Sequence, residues 1–381
     1  MKIGIVGGAL QGMEAVLLSR KAGYRTVVLD RRVSAPACYL ADSSCTVDIA
    51  LNPEDALKSL SDCDAVIPAC EDLQALNALE NLRSRLDIPL LFDPVAYRKS
   101  SSKAESNKIM AEAGVPLPKS WPECGFPAIV KPSCQSGSIG VSEVDNEKSM
   151  EIALQNVTEL NDTPIVQEFV HGKSVSIEVI GSHGHCRAYA TTEVVLSNNY
   201  DCKRVICGPN ILPPDADKEF LDIGKKIGDT LHLNAIMDVE AIYASEGLKV
   251  LEIDARLPSQ TPLAVEAATG INLLQEMISP SNAVPSKSWS SYEHYVVEGN
   301  KMHSSGEKEF SHVDRPHFVK GLFGSDEAVT DYIPGRKNWR ITVINHGATA
   351  KEIEDKRRNL LMTLKEDCGI TEFIDESPRV V

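Results

Sequence analysis

IMDVEAIYASEGLKVLEIDARLPSQTP, residues 236–262, decides how the rest of the chain is read. Two apolar-rich runs, Ala235 to Tyr243 and Leu248 to Ile253, flank a turn at Ser245 to Gly247, so the stretch is expected to fold back as a hairpin. Glu240 and Glu252 then lie on adjacent strands with side chains able to converge on one face. Asp254 keeps the face of Glu252, and Arg256 continues that register. Three carboxylates among apolar neighbours are costly to desolvate unless a cation neutralises them. An all-oxygen set suits Mg²⁺, which also accepts phosphate oxygens. A solvated strand face with alternating charge is the plainer reading of the same residues.

Upstream, Lys131 ends a strand expected over Phe126 to Lys131. IVKPSCQSGSIGV (129–141) then runs through a Gly/Ser-rich loop, Ser133 to Gly140, into a return strand, Val141 to Val144. The exposed amides of such a loop can fold over phosphate oxygens while the Lys131 ammonium supplies a point charge. It is not a P-loop, since no GK[ST] follows the glycines, and a mobile hairpin tip is the alternative. In VQEFVHGKSVSIEV (166–179), Ile165 to Val170 and Ser174 to Ile180 are expected to pair around His171 and Gly172. There Glu168, Phe169 and Val170 can offer a carboxylate, a carbonyl and an amide to an adenine edge. SSSK (100–103) caps a helix carrying Lys103 and Lys108, stopped by Gly114 and Pro116.

The first hundred residues alternate strand and helix: strands Ile3 to Val6, Thr26 to Leu29, Ala65 to Ile67 and Pro89 to Phe92, with helices Gln11 to Ala22 and Leu73 to Leu86. Such alternation implies a parallel sheet covered on both faces, with ligands beyond the carboxyl ends of the strands. That places Gly7 to Gly12, Asp30 and Glu71 along one edge. VGGALQG (6–12) approaches a dinucleotide fingerprint, but Ala9 replaces the glycine that lets the backbone meet a pyrophosphate, although Asp30 sits where a ribose-binding acid belongs. An anion- or substrate-binding loop at a helix N-terminus and a glycine turn kept for packing are the other readings. Ser279 to Ser291 is rich in Ser and Pro and reads as a linker. Beyond it, YEHYVVE, HFVKGLF, WRITVINH and a helix from Ala350 to Leu364 make a small α+β domain. The fold class is therefore α/β and α+β multidomain, divided at 1–98, 99–283 and 284–381.

Lys plus Arg number 39 and Asp plus Glu 54, so the formal charge of −15 disfavours nucleic acid as a partner while leaving room for a local basic pocket. MKIGIVGG starts a strand at the second residue, without room for a leader, and no apolar run approaches the length that crosses a bilayer. A cytoplasmic protein with no membrane partner is expected. Ten cysteines contain no CxxC, and free thiols in a reducing compartment are the expected state.

The ordered set of Lys103, Lys131 with its Gly/Ser loop, Glu168 with Phe169 and Val170, and Glu240, Glu252, Asp254 resembles the ATP-grasp carboxylate–amine ligases over residues 1 to about 280. GGALQGMEA (7–15), LFDPVAYRKSSSK (91–103), YDC (200–202), IMDVEAI (236–242) and EIDARLPSQTP (252–262) are longer phrases. They resemble the 3-methylornithine–lysine ligase family of pyrrolysine biosynthesis. The resemblance implies a Rossmann-like domain over 1–98 and two lobes clamping ATP over 99–283; for the C-terminal domain over 284–381, which it does not cover, closing the site or making homodimer contacts is the expected role. It implies two Mg²⁺ ions on Glu240, Glu252 and Asp254, with Asp254 in place of the family's usual Asn. Lys103 and Lys131 then hold phosphates, Ser138 belongs to a closing loop, and Glu168, Phe169, Val170 and His171 form the adenine hinge. Ala9 and Asp30 lie at nucleotide contacts. Leu10, Gln11 and Glu71 then face L-lysine. From the residues themselves, Ser259, Gln260 and Thr261 can hydrogen-bond the amines of 3-methyl-D-ornithine, and Asp72, Tyr200 and Asp201 are further candidate substrate contacts.

Under that resemblance ATP phosphorylates the methylornithine carboxylate, Lys131 and the ions neutralise the phosphoryl group, Arg256 partners the carboxylate, and the lysine ε-amine displaces phosphate. Catalysis is positioning and electrostatics, without a nucleophilic side chain. Plainer roles stand beside these: Lys103 as a surface charge, Glu71 and Asp72 as helix N-terminal acids, His171 as a turn residue, and Ser259 to Thr261 as a turn between Pro258 and Pro262. The rival functions are another ATP-grasp amino-acid or purine-pathway ligase, a NAD-dependent dehydrogenase and a non-catalytic nucleotide sensor.

Overall fold

A parallel sheet forms the N-terminal part, from strands β1 (Lys2–Val6), β2 (Arg25–Asp30), β3 (Ser43–Thr46) and β4 (Ala65–Pro68) in the order β3-β2-β1-β4. The computed structural model describes residues 1–281 and 283–378; position 282, within the expected linker, and residues 379–381 lie outside the described residues. Ile3, Ile5, Val28 and Ile67 are fully buried on the face covered by helix α1 (Leu10–Lys21), and Val6, Val27, Leu29 and Val66 are buried on the other face against α2 (Pro53–Leu60) and α3 (Leu73–Leu86). Gly7 has a φ of 110°, and a side chain there would strike the Ala69 carbonyl; one on Gly12 would strike the carbonyl of Gly7, so α1 can start tight against the β1 loop. The strand expected over Pro89 to Phe92 is only a single bridge from Leu90 to Val66. Pro89 has no N–H to donate, and the chain turns at once into α4 (Pro94–Ser100). The unforeseen strand, β3, is the polar and largely exposed SSCT, which has no apolar alternation to read.

After α5 (Lys103–Glu112), strands β5 (Ala128–Pro132), β6 (Ser142–Val144) and β7 (Pro164–Glu168) form a three-stranded antiparallel sheet backed by α6 (Glu147–Glu159). The expected pairing of Ile165–Val170 with Ser174–Ile180 is not made. The first of these lies in β7 on β5, while β8 (Lys173–Ser182) belongs to a different sheet, so residues 169–172 carry the chain between two lobes. Alternation shows that a segment is a strand, not which strand it pairs with. Gly172 is pressed onto the backbone of Tyr243, a contact with no room for a side chain.

The third sheet is twelve-stranded. It contains β8, β9 (His185–Ala188), β10 (Thr192–Leu196), β11 (Cys202–Cys207), and, after α7 (Pro214–Leu231), β12 (Ile236–Ala244) and β13 (Gly247–Asp254). Helices α8 (Thr261–Thr269) and α9 (Leu273–Ile278) then lead to β14 (Trp289–Glu298), which rejoins the sheet beside β11. β15 (Lys301–Ser304), β16 (His317–Lys320), β17 (Glu327–Thr330) and β18 (Asn338–Gly347) extend it, followed by α10 (Ala350–Cys368) and β19 (Glu372–Ile374). The linker reading of Ser279 to Ser291 fails at its end: Ser290 and Ser291 are buried in β14, where the Ser290 hydroxyl satisfies the Ala264 carbonyl at 2.6 Å. One apolar core joins β1 and α1 to α8, α9 and β14, so the three sequence regions meet at one place. Among the described residues no helix is long and apolar enough to cross a membrane.

Candidate functional site

The expected hairpin forms, with Glu240 opposite Glu252 and Asp238 opposite Asp254. Because β8 lies on the other side of β12, Glu178 falls opposite Asp238 and Ser176 opposite Glu240. Direct cross-strand partners share a face, so five carboxylates, Glu178, Asp238, Glu240, Glu252 and Asp254, form one acidic wall. Sequence reasoning missed Glu178 and Asp238. Their signal was present: polar residues recur at every second position in SVSIE (174–178) and in Asp238 and Glu240 of IMDVEAI.

The wall is short of positive charge. Glu178 is fully buried, neither of its oxygens finds a hydrogen bond of good geometry, and burial pushes its carboxyl group up to about 7 despite the nearby Thr261 hydroxyl. Asp238 is driven well above the ordinary range by burial and then by the charges of Glu240 and Asp254. Glu240 is reached by solvent from the open cleft but walled in by protein on its other sides; that crowding, with the Glu252 charge, pushes it up to about 7. Asp254 is raised to about 6 by burial, against the pull of Arg256.

Two lysines face this wall from the other elements. The Lys103 ammonium, at the start of α5, sits 2.8 Å from Glu252 and donates to the Gln135 carbonyl at 2.8 Å. Lys131, at the end of β5, is buried, donates to the Leu251 carbonyl at 3.3 Å and has its pKa lowered by burial. Arg256 is held between Asp254 at 2.8 Å and Glu71 at 2.5 Å. The Gly/Ser loop lies across the cleft: Ser136 donates to Glu71, Ser138 donates to the Tyr200 carbonyl at 2.7 Å, and Gly137 and Ser138 adopt positive φ.

The remaining expected residues divide. Glu168 accepts from the Lys119 amide at 3.0 Å, and the Phe169 and His171 rings meet edge to face at 4.7 Å, at the crossing between lobes that Val170 shares. Asp30 is closed on its own loop, taking the Gly8 amide at 2.7 Å and Arg32 at 2.8 Å. Asp72 caps α3 through the Gln74 and Ala75 amides. Leu10 is buried behind Ala9, the N-cap of α1, while Gln11 reaches the Leu257 carbonyl at 3.3 Å. Ser259 faces a cavity of about 470 Å³ that Gln11, Glu71 and Ser136 also line. Gln260 is turned inward at 1% exposed, its amide bonded to Cys202 and Glu307, and Thr261 opens α8 beside Glu178. All ten cysteines are free thiols.

An ATP-grasp domain family matches residues 100–260, the segment that carries Lys103, Lys131 and the acidic wall. The 3-methyl-D-ornithine–L-lysine ligases of Methanosarcina acetivorans and Methanosarcina barkeri are 32% and 33% identical to this chain over 373 residues, 96% of this chain and 98% of each relative. The chain belongs to the 3-methyl-D-ornithine–L-lysine ligase family. A D-alanine–D-alanine ligase of Lacticaseibacillus casei is similar over a shorter span, 27% identical over 192 residues, 45% of this chain and 52% of the relative. Among solved structures, the biotin carboxylase domain of Hydrogenobacter thermophilus 2-oxoglutarate carboxylase superposes with a TM-score of 0.75 at 14% identity, covering 95% of this chain and 89% of the other. An N5-carboxyaminoimidazole ribonucleotide synthetase does so with 0.69 at 18%, covering 95% and 96%. At those identities the structures establish the shared fold, and the ligase family rests on the sequence relatives.

The donor set fits a hard divalent cation. Among the described residues no group of three His, Cys, Asp or Glu side chains is gathered as a ready-made metal cage. Yet Glu240 and Glu252 are opposed on neighbouring strands, and the Asp254 Oδ1 is buried without a hydrogen-bond partner. In nucleotide sites Mg²⁺ is bound by one or two carboxylates completed by phosphate oxygens and water, so three such acids are enough to share between ions.

Proposed function

We propose that this chain joins the carboxylate of 3-methyl-D-ornithine to the ε-amine of L-lysine with consumption of ATP; its family relatives are named 3-methyl-D-ornithine–L-lysine ligases. The observation that carries the reading is the acidic wall of Glu178, Asp238, Glu240, Glu252 and Asp254 opposed by Lys103 and Lys131. A nucleotide clamped by the lysines and a dicationic amino acid resting on the acids together neutralise what the protein leaves unbalanced.

In this reading the adenine lies at Glu168 to His171, between the lobes, and Lys103 and Lys131 hold the phosphates. Glu240, Glu252 and Asp254 hold Mg²⁺, two ions by the family resemblance; when bound, Mg²⁺ neutralises phosphate charge as the phosphoryl group moves. Glu178 and Asp238 receive the ammonium groups of methylornithine, which turns its carboxylate toward Arg256 and the γ-phosphate. Phosphoryl transfer gives an acyl phosphate and ADP. The lysine ε-amine then attacks the acyl carbon; the new C–N bond forms, the C–O bond to phosphate breaks, and a proton is released. The loop latched by Ser136 and Ser138 keeps water from the acyl phosphate. Lysine enters from the N-terminal side, along Gln11 and Glu71. The homodimer is likewise proposed, with the C-terminal domain as its site.

The test is ADP release by the purified full chain with Mg²⁺ and ATP, together with the mass of the product. The expected result is ADP formation that requires both amino acids and yields their amide. ADP release independent of either amino acid overturns the reading.

A further inference from the structure

A lysine held for attack through its ε-amine presents an α-carboxylate and an α-ammonium at its far end. The first has an evident place in the cavity of about 470 Å³, at the uncapped N-terminus of α1 beside Gln11. The second needs an acid, and the acid expected from the sequence is already engaged. One oxygen of Glu71 is on Arg256 at 2.5 Å and the other takes the Ser136 hydroxyl. Asp72 is spent on capping α3 and pairing with Arg31 at 3.0 Å.

The C-terminal part of the chain supplies a different acid. Glu307 opens a short 3₁₀ segment (Glu307–His312) that reaches back to line the same cavity. Its Oε2 is fixed by the Ser259 hydroxyl at 2.5 Å and the Gln260 amide nitrogen at 3.3 Å. No ion pair among the described residues reaches it: Lys308, next in the chain, extends toward Gly137 instead, while the Glu307 Oε1 lies about 4.0 Å from where a Gly137 side chain would begin. This is a carboxylate with one oxygen fastened and the other turned to the cavity between the closing loop and the lysine path.

We propose that Glu307 is a specificity-determining residue that receives the α-ammonium of the lysine substrate, so that the C-terminal part of the chain completes the amine site. The inference rests on the ligase reading above. Ser259 and Gln260 act on lysine indirectly, by aiming Glu307, and Gln260 keeps that aim through a backbone with a φ of 67° whose N–H is held by Glu14 at 2.6 Å.

The experiment compares wild type and Glu307→Gln as full chains with Mg²⁺, ATP and methylornithine, offering either lysine or 6-aminohexanoate, which keeps the amine and carboxylate and lacks the α-ammonium. Wild type is expected to favour lysine. In Glu307→Gln, KM for lysine is expected to rise roughly 10- to 100-fold, the range of a charge-assisted hydrogen bond, and the preference over 6-aminohexanoate to collapse toward one. An unchanged preference, or an equal loss on both amines and on methylornithine, overturns the assignment. Absence of amino-acid-dependent ADP release in wild type instead rejects the ligase reading itself, and this inference with it.

Discussion

Glu178 and Glu276 are neighbours through a single tyrosine and end in opposite states. The Tyr189 amide bonds the Glu178 carbonyl at 2.9 Å, and its hydroxyl bonds the Glu276 carboxylate at 3.0 Å. Both side chains are almost wholly buried. Glu276 is completed by the protein: the Ser281 amide at 3.1 Å and hydroxyl at 2.5 Å take one oxygen, Tyr189 the other, and Arg187 stands 3.5 Å away. Glu178 has no such set and is raised to about 7 by burial. A buried acid surrounded by donors belongs to the architecture; one left without them is stabilised by whatever cation arrives.

Four measurements can break or sharpen that contrast. Glu252→Gln, on the acidic wall, should lower turnover about 100-fold or more while leaving the fold intact by circular dichroism, because charge at the phosphoryl group is lost. Retained turnover would remove Glu252 from the metal and phosphate machinery. Glu178→Gln should act mainly on substrate affinity, raising KM for methylornithine roughly 10- to 100-fold; an equal rise in KM for lysine would show that the two amines do not have separate acids. Glu276→Ala should reverse the pattern, costing about 2–3 kcal/mol of stability by stranding the Tyr189 and Ser281 donors, with both KM values unmoved. A Glu276 variant that is stable but weak in binding would abolish the distinction between the two glutamates. The smallest effect concerns pH. The folded protein holds the Glu178 proton up to about 7 against an ordinary value of 4.5, so its contribution to stability is complete below about 4.5 and is lost as pH rises through 7. The melting temperature of the ligand-free protein should therefore fall over that window, and Glu178→Gln should flatten the fall. An identical slope in the variant would assign the titration to another raised acid, Glu14 (to about 8) or Asp238, Glu240 and Asp254 of the wall.

Much of this was legible in the residues. The hairpin of 236–254, the pairing of Glu240 with Glu252, and α3 from Leu73 to Leu86 follow from alternation and turn chemistry. The crossing at 169–172 was not, because a strand's pattern names its faces and not its partners. The same gap hid Glu178: SVSIE shows an acid on a polar face, but only the pairing of β8 with β12 sets that face beside Asp238. Glu307 was illegible for a stronger reason. It stands 48 residues beyond Ser259, in a segment without periodicity, and only the packing of β14 and β15 brings it there.

The sequence by itself pointed to the family and, through longer motifs, to the two lysines; it also determined that three of the five wall acids share a face, since Glu240, Glu252 and Asp254 sit at short spacings on one hairpin where local geometry governs which face a side chain takes. Tertiary structure decided which acids are neutralised within the protein and which are left for a ligand. Arg256 on Glu71, Tyr189 on Glu276 and Ser259 on Glu307 are contacts between segments far apart in the chain, and the charge balance of a buried group depends on what surrounds it in space.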